Sequence, residues 1–274
     1  MTLSGYARPD GTIGARNHVL VLPSVVCSAH VAEQIAGTDA VALGHPHGCG
    51  QVGADAIHAA EVFAGIAAHP NVAGVLVVGL GCETVQGTEL AAEIGARGQL
   101  VELLTVQGSG GSARTVERGR AVVGRLLSRA ASQHRTAAGD DQLVLGLDDS
   151  TAPFAPALRD AATAARMRLV EPHAGTGPQV HADLAVRGAQ VIVSWCPPGE
   201  APRGFAVCPV VAVAADADDF AAMPDDFDLG SDGPLDAVAA RILASARAVF
   251  SGEPSAAERR GAHEFELRRL TRSM

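Results

Sequence analysis

Short apolar runs rich in β-branched residues alternate along the chain with longer stretches in which alanine and aliphatic residues recur at helical spacing. The runs predict strands over 18–25, 40–44, 74–79, 99–106, 143–147, 168–170, 190–195 and 210–214. The stretches between them predict helices over 28–36, 54–68, 88–96, 112–132, 156–165, 179–187 and 235–250. Several strands are unbroken apolar runs, which suits burial on both faces. The expected class is therefore α/β, with mostly parallel, Rossmann-like sheets flanked by helices. The polar stretch 133–141, which contains Gly139, separates a long helix from a new strand and divides the chain into two α/β lobes, 1–138 and 139–274. Two loop-rich segments, 196–209 and the acidic 223–234, follow strands, where parallel sheets place their ligands. The charged tail 251–274 reads as a solvated terminal helix.

Composition narrows the chemistry. The chain has 274 residues and a formal net charge of −9, and its 21 basic residues are all arginine. Without lysine there is no imine for pyridoxal phosphate and no Walker-type phosphate loop. Acidic balance with scattered arginines excludes a nucleic-acid partner. No apolar run reaches the roughly 18–20 residues of a membrane span, and the first residues lack the apolar core of a secretion signal, so a cytoplasmic protein is expected. The 5 cysteines are odd in number and never spaced as Cys-x-x-Cys, so free thiols are expected.

Five segments concentrate reactive side chains. His45, His47 and Cys49 lie on a glycine-rich loop after a strand, where two imidazoles and a thiol can converge on a metal ion. The competing reading is a strand-to-helix turn with a buried thiol and one exposed histidine. Cys82 and Glu83 follow the apolar run 75–78; Thr84 stands where a dinucleotide fingerprint needs glycine, which argues against NAD. Glu83 equally suits a helix N-terminus. Gln107, Gly110 and Gly111 precede a long helix, as an anion-binding turn or as a plain turn capped by Ser112. Arg8 and Arg16 have forks suited to a carboxylate, or to carbonyls of their own loop. Asp225, Asp226 and Asp228 suit a hard cation or an exposed acidic loop. No Gly-x-Ser-x-Gly elbow occurs, and Cys49 is the better nucleophile candidate, which keeps a hydrolase among the readings.

Taken in order, these segments resemble the altronate and galactarate dehydratase family, which includes the large subunit of sulfolactate sulfo-lyase. The matching residues are Gly5, Tyr6, Arg8, Asp10, Gly11 and 14–17, then His45 with 48–51, 70–72, 80–83, Gln107, Gly110 and Gly111, followed by Gly204, Phe205, 207–210, Asp225, Asp226 and Asp228, and a tail around His263, Glu264 and Phe265. The resemblance implies a metal-assisted β-elimination from a sugar acid or other small 2-hydroxy acid. It implies a divalent ion, Fe²⁺ or Mn²⁺ ahead of Mg²⁺ or Zn²⁺, held by His45, Cys82 and Glu83. Cys49, Glu83 and His47 would then act on the reacting carbon, while Arg8, Arg16, Asn17, Gln107, Gly110, Gly111 and Arg203 hold the small anionic substrate. The family's small N-terminal domain and long central block are missing. A separate small β-rich subunit, a homo-oligomer, and a catalytically inactive, ligand-binding paralogue all follow as expectations. Cys196-Pro197-Pro198-Gly199-Glu200 replaces the family's Thr-Thr-Gly-Arg-Gly, which leaves Arg203 as the nearest arginine.

Overall fold

The computed structural model describes residues 3–173, 175 and 177–271, so the last three positions of the expected terminal helix lie outside the described residues. The chain forms two compact units, one of Met1–Arg16 with Arg135–Glu264 and one of Asn17–His134 with Phe265–Met274. Strands β1 (Leu3–Ala7) and β2 (Ile13–Gly14) open the chain as an antiparallel hairpin of the first unit.

The Asn17–His134 unit is built on β3 (His18–Pro23), α1 (Ala29–Ala36), β4 (Val41–Ala42), α2 (Ala54–Ala67) and β5 (Val72–Gly79). It continues through α3 (Gly87–Ala96), β6 (Val101–Thr105), the single turn α4 (Val106–Ser109) and α5 (Ser112–Ala131). The sheet is wholly parallel, in the order β4-β3-β5-β6. Val19, Val21, Leu76 and Val78 pack against Val31 and Ile35 of α1 and Val116, Val123 and Leu126 of α5. Leu20, Leu22, Val75 and Val77 are also buried and alternate to the opposite face. Each such side chain contributes about 1.5–3 kcal/mol on leaving water. Burial on both faces explains why these strands read as unbroken apolar runs.

The other unit adds β7 (Arg135–Ala138), β8 (Val144–Leu147), α6 (Ala155–Ala164), β9 (Arg168–Val170), α7 (Pro178–Val186) and β10 (Val191–Cys196). It ends with β11 (Val210–Ala214), α8 (Ala217–Ala222), β12 (Leu229–Gly230), α9 (Leu235–Phe250) and α10 (Ala256–Arg260). Its main sheet is parallel in the order β12-β11-β10-β8-β9, and β7 joins the hairpin in a small antiparallel sheet, β2-β1-β7. Leu145, Leu147, Val191, Val193, Val211 and Val213 pack beneath Leu158 of α6 and Ile242, Ala246 and Phe250 of α9.

The expected fold class holds, and each expected strand and helix is present with its ends displaced by at most 2 residues. One local reading, the terminal helix, is corrected, and the stretch at 133–141 gains a short strand. The polar stretch at 133–141 contains β7, whose Arg135 donates to the carbonyls of Ser4, Ala15 and Phe250 and stacks over Tyr6 at 4.8 Å. The tail is helical only in α10, where Ser255 and Glu258 form a capping box and Gly261 ends the helix in the left-handed region.

Helices α1 and α5 approach closely because Gly119 has no side chain: a Cβ there would lie 2.5 Å from Ile35 Cδ1. Gly119→Ala gains helix propensity but overpacks this contact, and its expected net effect is a loss of about 1–2 kcal/mol in urea unfolding. Adding Ile35→Ala should make the pair of changes less costly than their sum, as a double-mutant cycle would measure.

Candidate functional site

A parallel sheet gathers the carboxyl ends of its strands on one edge, and ligands bind where successive connections leave to opposite sides. In the Asn17–His134 unit that point lies between β3 and β5, since β3 leads to β4 on one side and β5 lies on the other. Ser24 directly follows the first strand and Glu83 lies in the loop after the second. The Ser24 hydroxyl donates to Glu83 Oε1 at 2.9 Å, joining the two loops across the crevice. Oε1 also accepts from the amides of Leu80 at 3.2 Å and Gly87 at 3.3 Å, and Oε2 accepts from Gly81 at 2.6 Å. Glu83 is only 2% exposed. Burial opposes its charge, but the Gly81 amide, the Ser24 hydroxyl and the Gly87 amide outweigh it and hold the carboxyl below the ordinary carboxylate range. The loop closes this tightly because Gly81 takes a φ of 119° and a Cβ there would sit 2.6 Å from Gln107 Oε1. Glu83 precedes α3 and reaches its first amide, so the helix-terminus reading describes one of its bonds.

The loop after β4 carries the two histidines inward and the thiol outward, the reverse of the turn with a buried thiol and an exposed histidine. His45 and His47 are 5% and 6% exposed, and Cys49 is exposed. His45 Nδ1 accepts from the His47 amide, so its Nε2 carries the proton and donates to Pro23 O at 2.8 Å. Its ring packs 4.6 Å from that of Phe63. Burial pushes the His45 pKa down to about 4. His47 is held through Nδ1 by Gln51 at 2.7 Å, while its buried Nε2 has no partner among the described residues. Burial, then Arg269, lower its pKa, with Glu266 and Asp55 opposing. The loops after β4 and β5 meet where Thr84 Oγ1 donates to Cys49 O at 2.9 Å, and the Val26 amide bonds His47 O at 2.8 Å.

Sequence reasoning missed several contributors. Cys27 is exposed like Cys49 and Cys82, so the loops after β3, β4 and β5 each present a thiol. The signal was available, since each of the three follows a run expected to be a strand. The partners of the tail were not anticipated: Leu270 and Thr271 donate to Asp55 at the start of α2, Leu267 is buried, and Phe265 lies 6.3 Å from Phe63.

The other expected residues have structural partners. Arg16 spends its fork on Glu258 and on the carbonyls of Ala15, Val249 and Glu253, so it holds a carboxylate of its own chain. Arg8 donates to Arg16 O, and Asn17 to Ala130 O. Arg203 lies 3.4 Å from Glu200 in an exposed loop. Gly110 and Gly111 donate their amides to carbonyls of their own turn, and Gly111, not Ser112, is the cap of α5. Asp228 accepts from the amides of Ala212 and Ala256, Asp226 pairs with Arg260, and the acidic segment gathers no cation cage.

The expected metal ligands do not fit an ion in this arrangement. Both nitrogens of His45 and both oxygens of Glu83 are engaged within the protein, and among the described residues no three His, Cys, Asp or Glu side chains stand together as a metal cage. What the edge offers is the Nε2 of His47 and three exposed thiols.

Two measurements check this assignment. His45 is neutral when folded until about pH 4, whereas the unfolded chain protonates it near 6.5. The unfolded state therefore binds the extra proton, and stability falls as pH drops from about 6.5 towards 4, by about 3 kcal/mol in all. His47 adds a smaller slope of the same sign. Urea midpoints against pH should flatten in that window for His45→Gln. Glu83→Ala should cost about 3 kcal/mol or more, because it strands three amides and a hydroxyl, while Ser24→Ala should cost about 1 kcal/mol.

Residues 5–131 match the model of the D-galactarate dehydratase/altronate hydrolase second domain. The altronate dehydratase of Escherichia coli (strain K12) is 40% identical over 93 residues, covering 30% of this chain and 19% of that protein. The altronate dehydratase of Bacillus subtilis (strain 168) is 37% identical over 94 residues, with shares of 30% and 19%. The (2R)-sulfolactate sulfo-lyase subunit beta of Chromohalobacter salexigens is 43% identical over 83 residues, with shares of 29% and 21%. The matched region spans about a fifth of the length of these relatives. The match to the D-galactarate dehydratase/altronate hydrolase second domain thus takes in residues 5–131, which hold the Glu83 clasp and the histidine loop.

Proposed function

We propose that the chain is a dehydratase-type lyase acting on a sugar acid or another small 2-hydroxy acid. One observation carries the reading: the family match encloses the carboxyl edge of the β4-β3-β5-β6 sheet, whose loops carry the exposed thiols of Cys27, Cys49 and Cys82 and a His47 Nε2 that has no partner among the described residues. Elimination needs a base for the proton beside the carboxylate and an acid for the departing group. His47 serves as that proton carrier. Burial favours the neutral imidazole, and with Gln51 donating to Nδ1 the ring proton sits on Nε2; turning the Gln51 amide so that its oxygen accepts from Nδ1–H leaves Nε2 free to take the substrate proton and return it to the departing group. Glu83 does not touch the substrate in this scheme. It is a positioning residue that holds the Ser24 and Leu80–Gly81 loops in register.

The relatives supply further support, one being a subunit and the matched family region being a second domain. A partner chain or a homo-oligomer that completes the enzyme is part of the proposal. The short span of the match favours a second reading, a ligand-binding paralogue without turnover.

A panel of aldonates and aldarates, assayed for 2-keto acid release, separates the two. His47→Asn should lower kcat by about 100-fold or more with the melting temperature preserved, in the range expected for loss of an acid–base group. Saturable substrate binding with no product from the wild-type chain, alone or with a candidate partner, would establish the second reading instead.

A further inference from the structure

The segment that begins at Phe265 belongs to the Asn17–His134 unit and lies along α2. Contacts at its two ends fix it there. Phe265 lies 6.3 Å from the ring of Phe63. The amides of Leu270 and Thr271, with the Thr271 hydroxyl, donate to the carboxylate of Asp55 at the helix start. Between these anchors Leu267 is buried. Asp55 and Phe63 stand about 12 Å apart along the helix. Extended chain from Phe265 to Leu270 covers that distance, so the segment runs in the direction opposite to α2.

This path brings the segment against the histidine loop. The Phe63 ring that meets Phe265 also packs on His45, and the rings of His45 and His47 stack with centroids 5.6 Å apart. On the other side, Gln51, which bonds His47 Nδ1, leads within one short turn of chain to Asp55. The segment is thus tied down on both sides of His47. Arg269 immediately precedes Leu270, whose amide is 2.6 Å from Asp55 Oδ1, and its positive charge acts on both Asp55 and His47.

The fold leaves this guanidinium uncommitted. The Asp55 oxygens are taken by Leu270 and Thr271, and exposed Arg269 has no hydrogen bond or ion pair among the described residues. The arginines expected from the sequence to hold a substrate are differently placed: Arg16 is bound to Glu258, Arg8 donates to Arg16 O, and Arg203 lies beside Glu200. A 2-hydroxy acid brings a carboxylate, and removing the proton beside it moves further negative charge onto that group. A planar guanidinium meets a carboxylate with two parallel hydrogen bonds. Glu266 and Asp55, the other charges felt at His47, have the wrong sign for this role.

We propose that Arg269 binds the carboxylate of a small 2-hydroxy acid beside His47, so that the segment 265–271 supplies the cation of the site. The proposal rests on the substrate class read for the His47 loop, and its test measures binding apart from turnover so that the two fail separately.

Calorimetry on the full chain with gluconate, galactarate and the uncharged gluconamide provides that test. At least one of the two anions should bind more tightly than gluconamide. Arg269→Ala should weaken that anion by roughly tenfold or more, the ratio for a lost charge-assisted hydrogen bond, and leave gluconamide unchanged. Arg269→Lys, which keeps the charge without the fork, should fall between the two, while Arg268→Ala at the neighbouring exposed position should leave anion affinity unchanged. Melting curves establish that the variants fold. Binding that depends on Arg269 with no 2-keto acid released upholds the proposal and removes the lyase reading. Turnover that persists with unaltered anion affinity in folded Arg269→Ala overturns the proposal and keeps the lyase reading. No binding of either anion by the wild-type chain, or an equal loss with Arg268→Ala, also overturns it.

Discussion

Burying a carboxylate among apolar strands is unfavourable unless its oxygens are met, and Glu83 meets that demand with three backbone amides and the Ser24 hydroxyl. Because those donors come from the ends of β3 and β5 and from the start of α3, one side chain sets the geometry of the crevice. The neighbouring loops depend on the same arrangement. Thr84, next to Glu83, holds Cys49 O, and Gln107 closes over Gly81 with its amide on Leu80 O. A carboxylate so engaged acts as a clasp. This is why the sequence-based assignment of Glu83 to a metal conflicts with the geometry, while the accessible chemistry passes to His47 and the exposed thiols.

The second sheet solves the same problem with the roles exchanged. In the first, a serine follows the leading strand and the carboxylate follows its neighbour; in the second, Asp148 follows the leading strand and Ser194 lies on the neighbour. Both sheets start in the middle, place the second strand on one side and the rest on the other, so each opens a crevice at the same topological place. Glu83 is fully partnered, whereas His181, 3.5 Å from Asp148, keeps an Nδ1 with no partner among the described residues. Arginine supplies the remaining polar ties. The forks of Arg16 and Arg135 bind carbonyls at chain positions far apart, a use of planar, multidentate donors that suits a chain without lysine.

The amino-acid sequence by itself determined the strands and helices, because both-face burial and one-face burial impose different periods that a reader can count. It also determined which chemistries are absent, since no fold can supply a lysine the chain does not have. Short elements such as β7 and β12 escaped, being defined by pairing rather than by an apolar run. Only tertiary structure decided the partners of the polar groups. Arg16 finds Glu258, and Asp55 finds Thr271, across more than two hundred residues, separations over which no local pattern operates. Whether a histidine or a carboxylate is open to chemistry depends on how many of its atoms the fold has already engaged. That number is set by contacts between loops that the sequence alone does not bring together.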